Sequence, residues 1–273
     1  MSAKFEILEK LGQGQFGVVY LGNMQNKKVA IKIEYKESPY KLLKHESKIL
    51  FYLKERRVSH IPVIYYYGLH EGNLAAVMTL YECSFEEYII ENEPNHVECT
   101  RFFHSIIEIL ENVHNNFVLH CDIKPSNFMM KDGELYLIDF GLSKIYINEE
   151  NQHYPQKKDC DLVGTPKYMS LFIHGGSSPS RRDDLISSWY VYMFSLGRAL
   201  SWDDCNKNSD YITEKKGDLE KMKHHILGNR LQTLYSMKFE ERPNYQLLRI
   251  KEDLLSWFPR FSLCNIDEIR MDS

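Results

Sequence analysis

The sequence contains no long hydrophobic run and no large excess of one charge. No stretch approaches the roughly 20 apolar residues that a membrane-spanning helix needs, and the first residues lack the apolar segment of a secretory signal. Lysine and arginine number 34 against 38 aspartate and glutamate, a formal net charge of −4. This balance gives no overall basic field, so the net charge does not indicate nucleic acid or an anionic membrane as a partner. We expect a cytoplasmic protein that could also enter the nucleus.

Clustered cysteines are also absent. The six cysteines are spread along the chain at Cys83, Cys99, Cys121, Cys160, Cys205 and Cys264. None forms a C-x-x-C pair with another, which argues against a zinc site or a disulfide framework, and scattered cysteines suit a reducing compartment. The chain contains no internal repeat, low-complexity tract or Pro/Gly/Ser-rich linker that would separate domains.

The sequence pattern changes once along the chain. Up to about Thr79, short runs rich in β-branched and aromatic residues predict strands near 17–21, 28–33, 62–67 and 74–78, with turns at 25–27 and 71–73. One helical pattern, over 40–53, interrupts them. Beyond Glu82, helical periodicity dominates, with apolar stripes over 100–113 and 185–200. These patterns predict a small sheet-rich lobe followed by a larger helical lobe, with a ligand cleft between them.

The first chemical motif is glycine-rich. Residues Gly12 to Val19 read G-x-G-x-x-G-x-V, and such glycines let backbone N–H groups approach phosphate oxygens closely. An ordinary hairpin and a dinucleotide-binding loop are the alternatives. A dinucleotide-binding loop opens a helix, whereas strand-forming residues follow here, from Val18 to Leu21. The order favours a flap over a nucleotide.

A lysine and a glutamate follow the glycine motif. Lys32 ends the strand-like segment Val29-Ala-Ile-Lys32, and Glu46 lies in the next predicted helix. A strand lysine that holds phosphate oxygens needs a carboxylate to orient its flexible stem. In isolation, Lys32 could be an edge residue facing water and Glu46 a solvated helix residue.

Two segments in the second half decide the chemistry. His120-Cys121-Asp122-Ile-Lys124-Pro-Ser-Asn127 follows a long helix, and an apolar strand then ends at Asp139-Phe140-Gly141. Asn127 and Asp139 offer the hard oxygen ligands that Mg²⁺ prefers. Asp122 could reach a hydroxyl in line with a γ-phosphate, and Lys124 could neutralise charge there.

Together these segments resemble the protein kinase signatures, which extend over nearly the whole chain. Val163-Gly164-Thr165 and Ser180-Arg-Arg-Asp-Asp-Leu185 narrow the resemblance to the casein kinase I family, with vaccinia-related kinases as the next candidate. The resemblance implies an α+β bilobal fold within a single domain, 1–273, with an N-lobe over 1–79, a hinge over 79–82 and a C-lobe over 83–273. It also implies a monomeric serine/threonine kinase that uses ATP and Mg²⁺ on protein substrates.

The family resemblance assigns roles to individual residues. Asp122 and Lys124 would be catalytic, Asn127 and Asp139 would hold Mg²⁺, and Asp184 would anchor the catalytic loop. The nucleotide would be contacted by residues of the flap, the sheet, the first helix and the hinge: Leu11, Gly12, Gln13, Gly14, Gln15, Phe16, Gly17, Val18, Val19, Ala30, Lys32, Glu46, Met78 and Leu80.

The resemblance also implies a preference for acidic or already phosphorylated substrates. An anion site would use Arg181 and Arg182 with Lys215 or Lys216. Alternatively, the arginines bond the activation segment, the stretch after Asp139-Phe140-Gly141 that includes His153 to Pro155, and the lysines are a solvated run. Cys160 stands where the family often has a lysine, which weakens the inherited preference.

Other departures keep a second function open. Cys121 replaces the usual arginine between His and Asp, and Trp189 replaces a more usual glycine in the central helix. A catalytically silent scaffold with a kinase fold is therefore an alternative, as is a small-molecule or lipid kinase. Against the scaffold, the residues that a silent relative usually loses are all present: Lys32, Glu46, Asp122, Asn127 and Asp139.

Overall fold

A computed structural model describes residues 5–14, 17–197, 200–222 and 226–249. Its first part is an antiparallel five-stranded sheet in the order β1-β2-β3-β5-β4. The strands are β1 (Phe5–Gly14), β2 (Gly17–Met24), β3 (Lys27–Glu34), β4 (Ile64–His70) and β5 (Asn73–Met78). The predicted strands of this region are confirmed.

Tight turns close the sheet hairpins where the sequence predicts them. Gln25 and Asn26 have φ values of 53° and 63°, and Glu71 and Gly72 have 48° and 81°. Positive φ at both central residues gives the turn a twist that matches the flanking strands, which is why Asn and Gly are favoured there. The hairpins set the register that aligns β2, β3 and β5.

The register divides the sheet into two faces. Val19 lies opposite Lys32, and Ala30 lies opposite Met78. Cross-strand partners project from the same side of a sheet, so these four side chains share the face toward the C-terminal lobe. The other face buries a cluster built on Val29, Ile31 and Val77.

Helix α1 (Leu42–Glu55) packs beneath the sheet and contacts the segment after Asp139. Leu43, Leu50 and Leu53 are buried, as the helical pattern predicts. Glu46 is buried on the same helix, with 2% of its surface exposed. A carboxylate is buried at such a position only when it has a partner.

The second part of the chain is mainly helical. Its helices are α2 (Phe85–Asn92), α3 (His96–Asn115), α4 (Leu171–His174), α5 (Arg181–Ser195), α6 (Asn208–Lys221), α7 (Ile226–Ser236) and α8 (Tyr245–Leu248). Short strands β6 (Cys83–Ser84), β7 (Val118–Leu119), β8 (Phe128–Lys131), β9 (Glu134–Leu137) and β10 (Lys144–Ile145) support the loops that face the sheet. Capping boxes at Ser84, Asn95 and Ser180 start three of these helices.

Central helix α5 is buried on nearly all sides, as predicted, but its limits differ from those of the apolar stretch, 185–200. It begins at Arg181, because Ser180 and Asp183 form the capping box, and it ends at Ser195, before Gly197 at φ 71°. Trp189 is fully buried in this helix, against Phe103 of α3 at a ring-centroid distance of 5.2 Å. The bulky residue is accommodated by an edge-to-face aromatic contact.

Among the helices that the structure describes, none is long and apolar enough to cross a membrane. The described residues end at 249, so the assignment of 1–273 to one domain, with the predicted lobe and hinge limits, stays a prediction.

Candidate active site

The glycine-rich flap is formed by the end of β1 and the start of β2. Gly17 is required by packing, since a Cβ there would lie 2.2 Å from the Ile33 carbonyl oxygen. A Cβ on Gly12 or Gly14 would meet no atom of the described residues within 4 Å, apart from its chain neighbours. The protein itself therefore leaves space over these two glycines, which suits close approach of a ligand to the backbone. Gln15 and Phe16 lie outside the described residues.

The remaining flap residues differ in what they can offer a nucleotide. Leu11 is exposed, and the Gln13 amide donates to the Tyr35 hydroxyl at 2.8 Å. Val19 faces the cleft with Ala30, but Val18 alternates to the opposite face and is buried there. The prediction that Val18 contacts the nucleotide is therefore restricted to its backbone, because successive strand side chains point to opposite faces.

The hinge follows β5 directly. Met78, predicted to contact the nucleotide, packs with Ala30 and with Leu43 of α1. Thr79 is bonded to the residue that precedes β4, since its N–H donates to the Val63 carbonyl at 3.1 Å. The next residue, Leu80, makes no backbone hydrogen bond with any residue that the structure describes. Its free N–H and C=O can recognise a planar ligand edge at the cleft.

Lys32 joins the sheet, α1 and the segment after β9. Its ammonium group lies 2.7 Å from Glu46 Oε2 and 3.0 Å from Asp139 Oδ1. Partial burial disfavours the charge, but the two carboxylates outweigh it and raise the pKa of Lys32. The same contacts lower the pKa of Asp139, although its burial acts the other way. The site therefore holds one fixed cation beside an ionised carboxylate.

Asp139 begins a sharp turn. Its backbone adopts the left-handed conformation (φ 63°), and Phe140 behind it is fully buried against the His120 ring. The buried Phe140 holds the turn, while 44% of the Asp139 side chain stays exposed toward the cleft. His45 of α1 also contacts this segment, through a ring nitrogen 2.7 Å from the Ser143 carbonyl.

The catalytic loop between β7 and β8 is anchored from below by Asp184. Oδ1 of this carboxylate accepts from the Cys121 N–H at 2.9 Å, and Oδ2 accepts from the His120 N–H at 2.8 Å. His114 of α3 lies 3.0 Å from Oδ2, and its other ring nitrogen is 2.8 Å from the Tyr245 hydroxyl. The structure thus places Asp184 in the predicted anchoring position.

Asp122 lies at the centre of a compact polar group. The Thr165 hydroxyl donates to Asp122 Oδ1 at 2.7 Å, and Lys124 Nζ lies 2.8 Å from Oδ2. Lys124 also donates to the Thr165 hydroxyl at 3.1 Å, and the Asn127 amide donates to Oδ2 at 3.1 Å. The carboxylate is held in one orientation, with a cation beside it.

Arg182 and Lys215, predicted to bind substrate anions, are instead buried. The Arg182 guanidinium stacks 3.5 Å from the Phe172 ring centroid and donates to the Met237 carbonyl. Lys215 is 1% exposed and donates to the carbonyls of Pro166 and Met169 at 3.0 and 2.6 Å. Their place in an anion site is corrected, because both side chains are buried and donate to backbone carbonyls inside the lobe.

Arg181 and Lys216, the other two residues predicted to bind substrate anions, lie nearer the surface. Arg181 donates to the Glu240 carbonyl at 2.6 Å and covers the Tyr146 ring. Lys216 is exposed on α6. The arginines therefore have structural contacts, as the alternative interpretation predicted. They bond to Tyr146 of the activation segment and also to the carbonyls of Met237 and Glu240.

Several functional contacts escaped the sequence analysis. His45, His114 and Tyr245 join distant segments to the catalytic loop and to the turn at Asp139. Each bonds to a segment far away in the sequence, and its sequence neighbours do not indicate that partner. Only the packing of separate helices reveals what these side chains bond.

Fold and site together define a class of protein. A glycine-rich flap, a paired lysine and a carboxylate held beside a lysine and a threonine form a site for moving a phosphoryl group. A family model described as the protein kinase domain matches residues 5–250, so the chain belongs to the protein kinase family. The predicted α+β bilobal fold is confirmed, and membership implies ATP as substrate and protein as acceptor.

Proposed function

We propose that the chain is an ATP- and Mg²⁺-dependent serine/threonine protein kinase of the casein kinase I type. It would act as a monomer in the cytoplasm, and also in the nucleus, on protein substrates. Nucleic acid and membranes would not be its partners. The substrates would be rich in acidic or phosphorylated residues.

The observation that carries this proposal is the contact between Asp122, Lys124 and Thr165. Asp122 is oriented by three donors and can accept the proton of a substrate hydroxyl. The hydroxyl oxygen then bonds to the γ-phosphorus as the bond to ADP breaks. Lys124 balances the negative charge that gathers beside Asp122. Thr165 brings the activation segment to within 2.7 Å of the carboxylate, where a serine or threonine hydroxyl fits.

The residues present fit a magnesium ion. The Asn127 amide nitrogen donates to the Asp122 backbone carbonyl at 2.8 Å, which leaves its Oδ1 free. Asp139 offers a second, partly exposed oxygen donor whose pKa is lowered by Lys32. Asn127 and Asp139 would hold the ion, which supplies charge neutralisation for the transferred phosphoryl.

The casein kinase I grouping rests on Ser180 to Leu185 and on Val163 to Thr165. The capping box of α5 uses Ser180 and Asp183, and Asp184 anchors the catalytic loop, so this motif carries structural roles here. Because Arg182 and Lys215 are buried, the preference for acidic substrates would come from two exposed lysines, Lys144 and Lys157.

The test is transfer of labelled phosphate from ATP and Mg²⁺ to casein by wild type and Asp122→Asn. We expect wild-type labelling on serine and threonine, and a loss of about 10²–10⁴-fold in the variant, because a positioned proton acceptor contributes this much. Asp132→Asn, the same change in an exposed turn, is the matched control and should retain activity.

Two results would overturn the proposal. Wild-type protein that binds ATP but labels neither casein nor itself would favour the scaffold function. Labelling of tyrosine, or undiminished transfer by Asp122→Asn, would contradict the assigned specificity or the assigned residue.

A further inference from the structure

A groove lies beside the catalytic loop, between β10 and the activation segment. Its volume is about 240 Å³. Tyr146 and Phe239 form a buried floor, and Ile145, Tyr154 and Val163 form apolar walls. We refer to it as the activation-segment groove.

The groove presents large apolar side chains to solvent. Ile145 is 38% exposed and Tyr154 is 48% exposed. Cys160 lines the same wall, and the nearby Cys121 packs into the apolar cluster of Leu119 and Tyr146. Burial raises the pKa of the Cys121 thiol, so it stays uncharged. The inner part of the groove therefore offers mainly apolar contact.

Charge is confined to the rim. Lys144 and Lys157 are exposed there, and their ammonium groups form no ion pair with any described residue. Asp161 is the carboxylate among the lining residues. An occupant with an apolar side chain and a neighbouring carboxylate would complement both features.

The groove is preformed rather than loose. The Tyr154 N–H donates to the Tyr146 carbonyl at 2.9 Å, and the Cys160 N–H donates to the Gly176 carbonyl at 2.9 Å. Lys157 and Ser178 also exchange hydrogen bonds of 2.9 Å. Walls fixed in this way lose little conformational freedom when a ligand binds.

The groove borders the catalytic site at Val163. Val163 lines both this groove and the small cavity that contains Asp122, and Thr165 follows two residues later. A polypeptide whose acceptor hydroxyl meets Asp122 can therefore continue across Val163 into the groove.

We propose that the activation-segment groove binds the substrate polypeptide itself and selects a bulky apolar side chain near the acceptor, next to an acidic residue at Lys144 and Lys157. This inference rests on the proposed function, because it assumes a peptide acceptor at Asp122. It adds a specificity that acidic residues alone do not supply.

The test uses peptides with one serine acceptor and a single leucine moved through each flanking position, compared with alanine there. We expect leucine at one position to lower KM by about 5–20-fold, the effect of burying a few methylene groups. In the double variant Ile145→Ser/Tyr154→Ser, the ratio of KM for the alanine peptide to KM for the leucine peptide should fall below about 3-fold. Ile90→Ser, at a more exposed apolar residue on α2, is the control and should leave the ratio of the two KM values unchanged.

The charged rim is tested separately. Replacing the acidic neighbour by glutamine should raise KM for wild type by about 3–10-fold, and this effect should vanish in Lys144→Gln/Lys157→Gln. An acidic effect without any leucine effect would mean an anion site only and would overturn the proposal.

Peptide binding without ATP, followed by fluorescence anisotropy, separates this inference from the proposed function. If wild type transfers no phosphate, the leucine ratio in binding affinity still decides whether the groove takes an apolar side chain. A ratio near one at every position, or one that persists in the double groove variant, refutes the inference whatever the catalytic result.

Discussion

Asp184→Asn is the substitution whose effect the structure specifies most fully. The carboxylate is 3% exposed and accepts from two backbone N–H groups and the His114 ring. An asparagine keeps one acceptor oxygen but turns an N–H₂ group toward a donor. One charge-assisted hydrogen bond is lost, worth about 1.5–3 kcal/mol, and a buried donor is left unpaired at about 1–3 kcal/mol. We expect the free energy of unfolding to fall by about 3–5 kcal/mol, as for other broken buried pairs.

Catalysis should fall with stability, because the same bonds hold the loop. Cys121 has a left-handed backbone (φ 67°), a conformation that costs a non-glycine residue about 1–2 kcal/mol. Its N–H bond to Asp184 offsets that cost, and Asp122 is the next residue. A displaced loop moves the carboxylate from its position, and an error of about 1 Å can lower the rate about 10²-fold.

The assay combines urea unfolding with steady-state kinetics on casein, with Asp132→Asn as the control. Burial would raise the pKa of Asp184, but the His114 ring and the backbone N–H groups outweigh it and lower that pKa. A folded pKa below the unfolded value stabilises the protein above about pH 4 and loses this effect as pH falls through the folded pKa. The stability gap between wild type and variant should therefore be constant near neutral pH and narrow only below about pH 4. A gap below about 1 kcal/mol at pH 7, with unchanged kcat, would refute the anchoring role.

Three other predictions concern the core, the cleft and the corrected anion cluster. Trp189→Ala should lower the free energy of unfolding by about 3–5 kcal/mol in urea titration, since the ring is fully buried; a loss under 1 kcal/mol would contradict tight packing. Glu46→Gln removes the charge that orients Lys32 at 2.7 Å and should lower kcat/KM for ATP by about 10–100-fold in initial-rate assays, whereas an unchanged value would mean the pair is dispensable. Lys215→Met should destabilise by about 2–4 kcal/mol because it strands two buried carbonyls, while Lys216→Met next to it should cost less than about 0.5 kcal/mol; equal losses would contradict the burial difference.

Where a motif forms its own local structure, the sequence was sufficient to predict it. The strands of the sheet, the turns at Gln25 and Glu71 and the order of flap, lysine and catalytic loop follow from short segments. Gly17 is an example: the atom that excludes a Cβ at this position belongs to Ile33, on the adjacent strand of the same hairpin. Local periodicity and turn residues carry this information without distant partners.

Element limits were less accurate where two signals compete. Helix α5 was expected to run to Leu200 because its apolar pattern continues, but it ends at Ser195. The apolar pattern begins only at Leu185, because Arg181, Arg182 and Asp183 are charged residues of the first turn, whereas the family resemblance places the start of the helix at Ser180 to Leu185. A polar residue in a buried helix turn is explained by its partners, and these lie far away in sequence.

The sequence alone was sufficient to predict a protein kinase and to single out Lys32, Glu46, Asp122, Asn127 and Asp139 as candidate site residues, since these residues lie in short local motifs. Only the tertiary structure decided which groups the arginine and lysine side chains contact. Arg182 and Lys215 look the same in sequence as exposed basic residues, yet they meet carbonyls of Met237, Pro166 and Met169. A flexible charged side chain takes its role from whatever packs around it, because burying a charge is costly unless distant segments supply its partners.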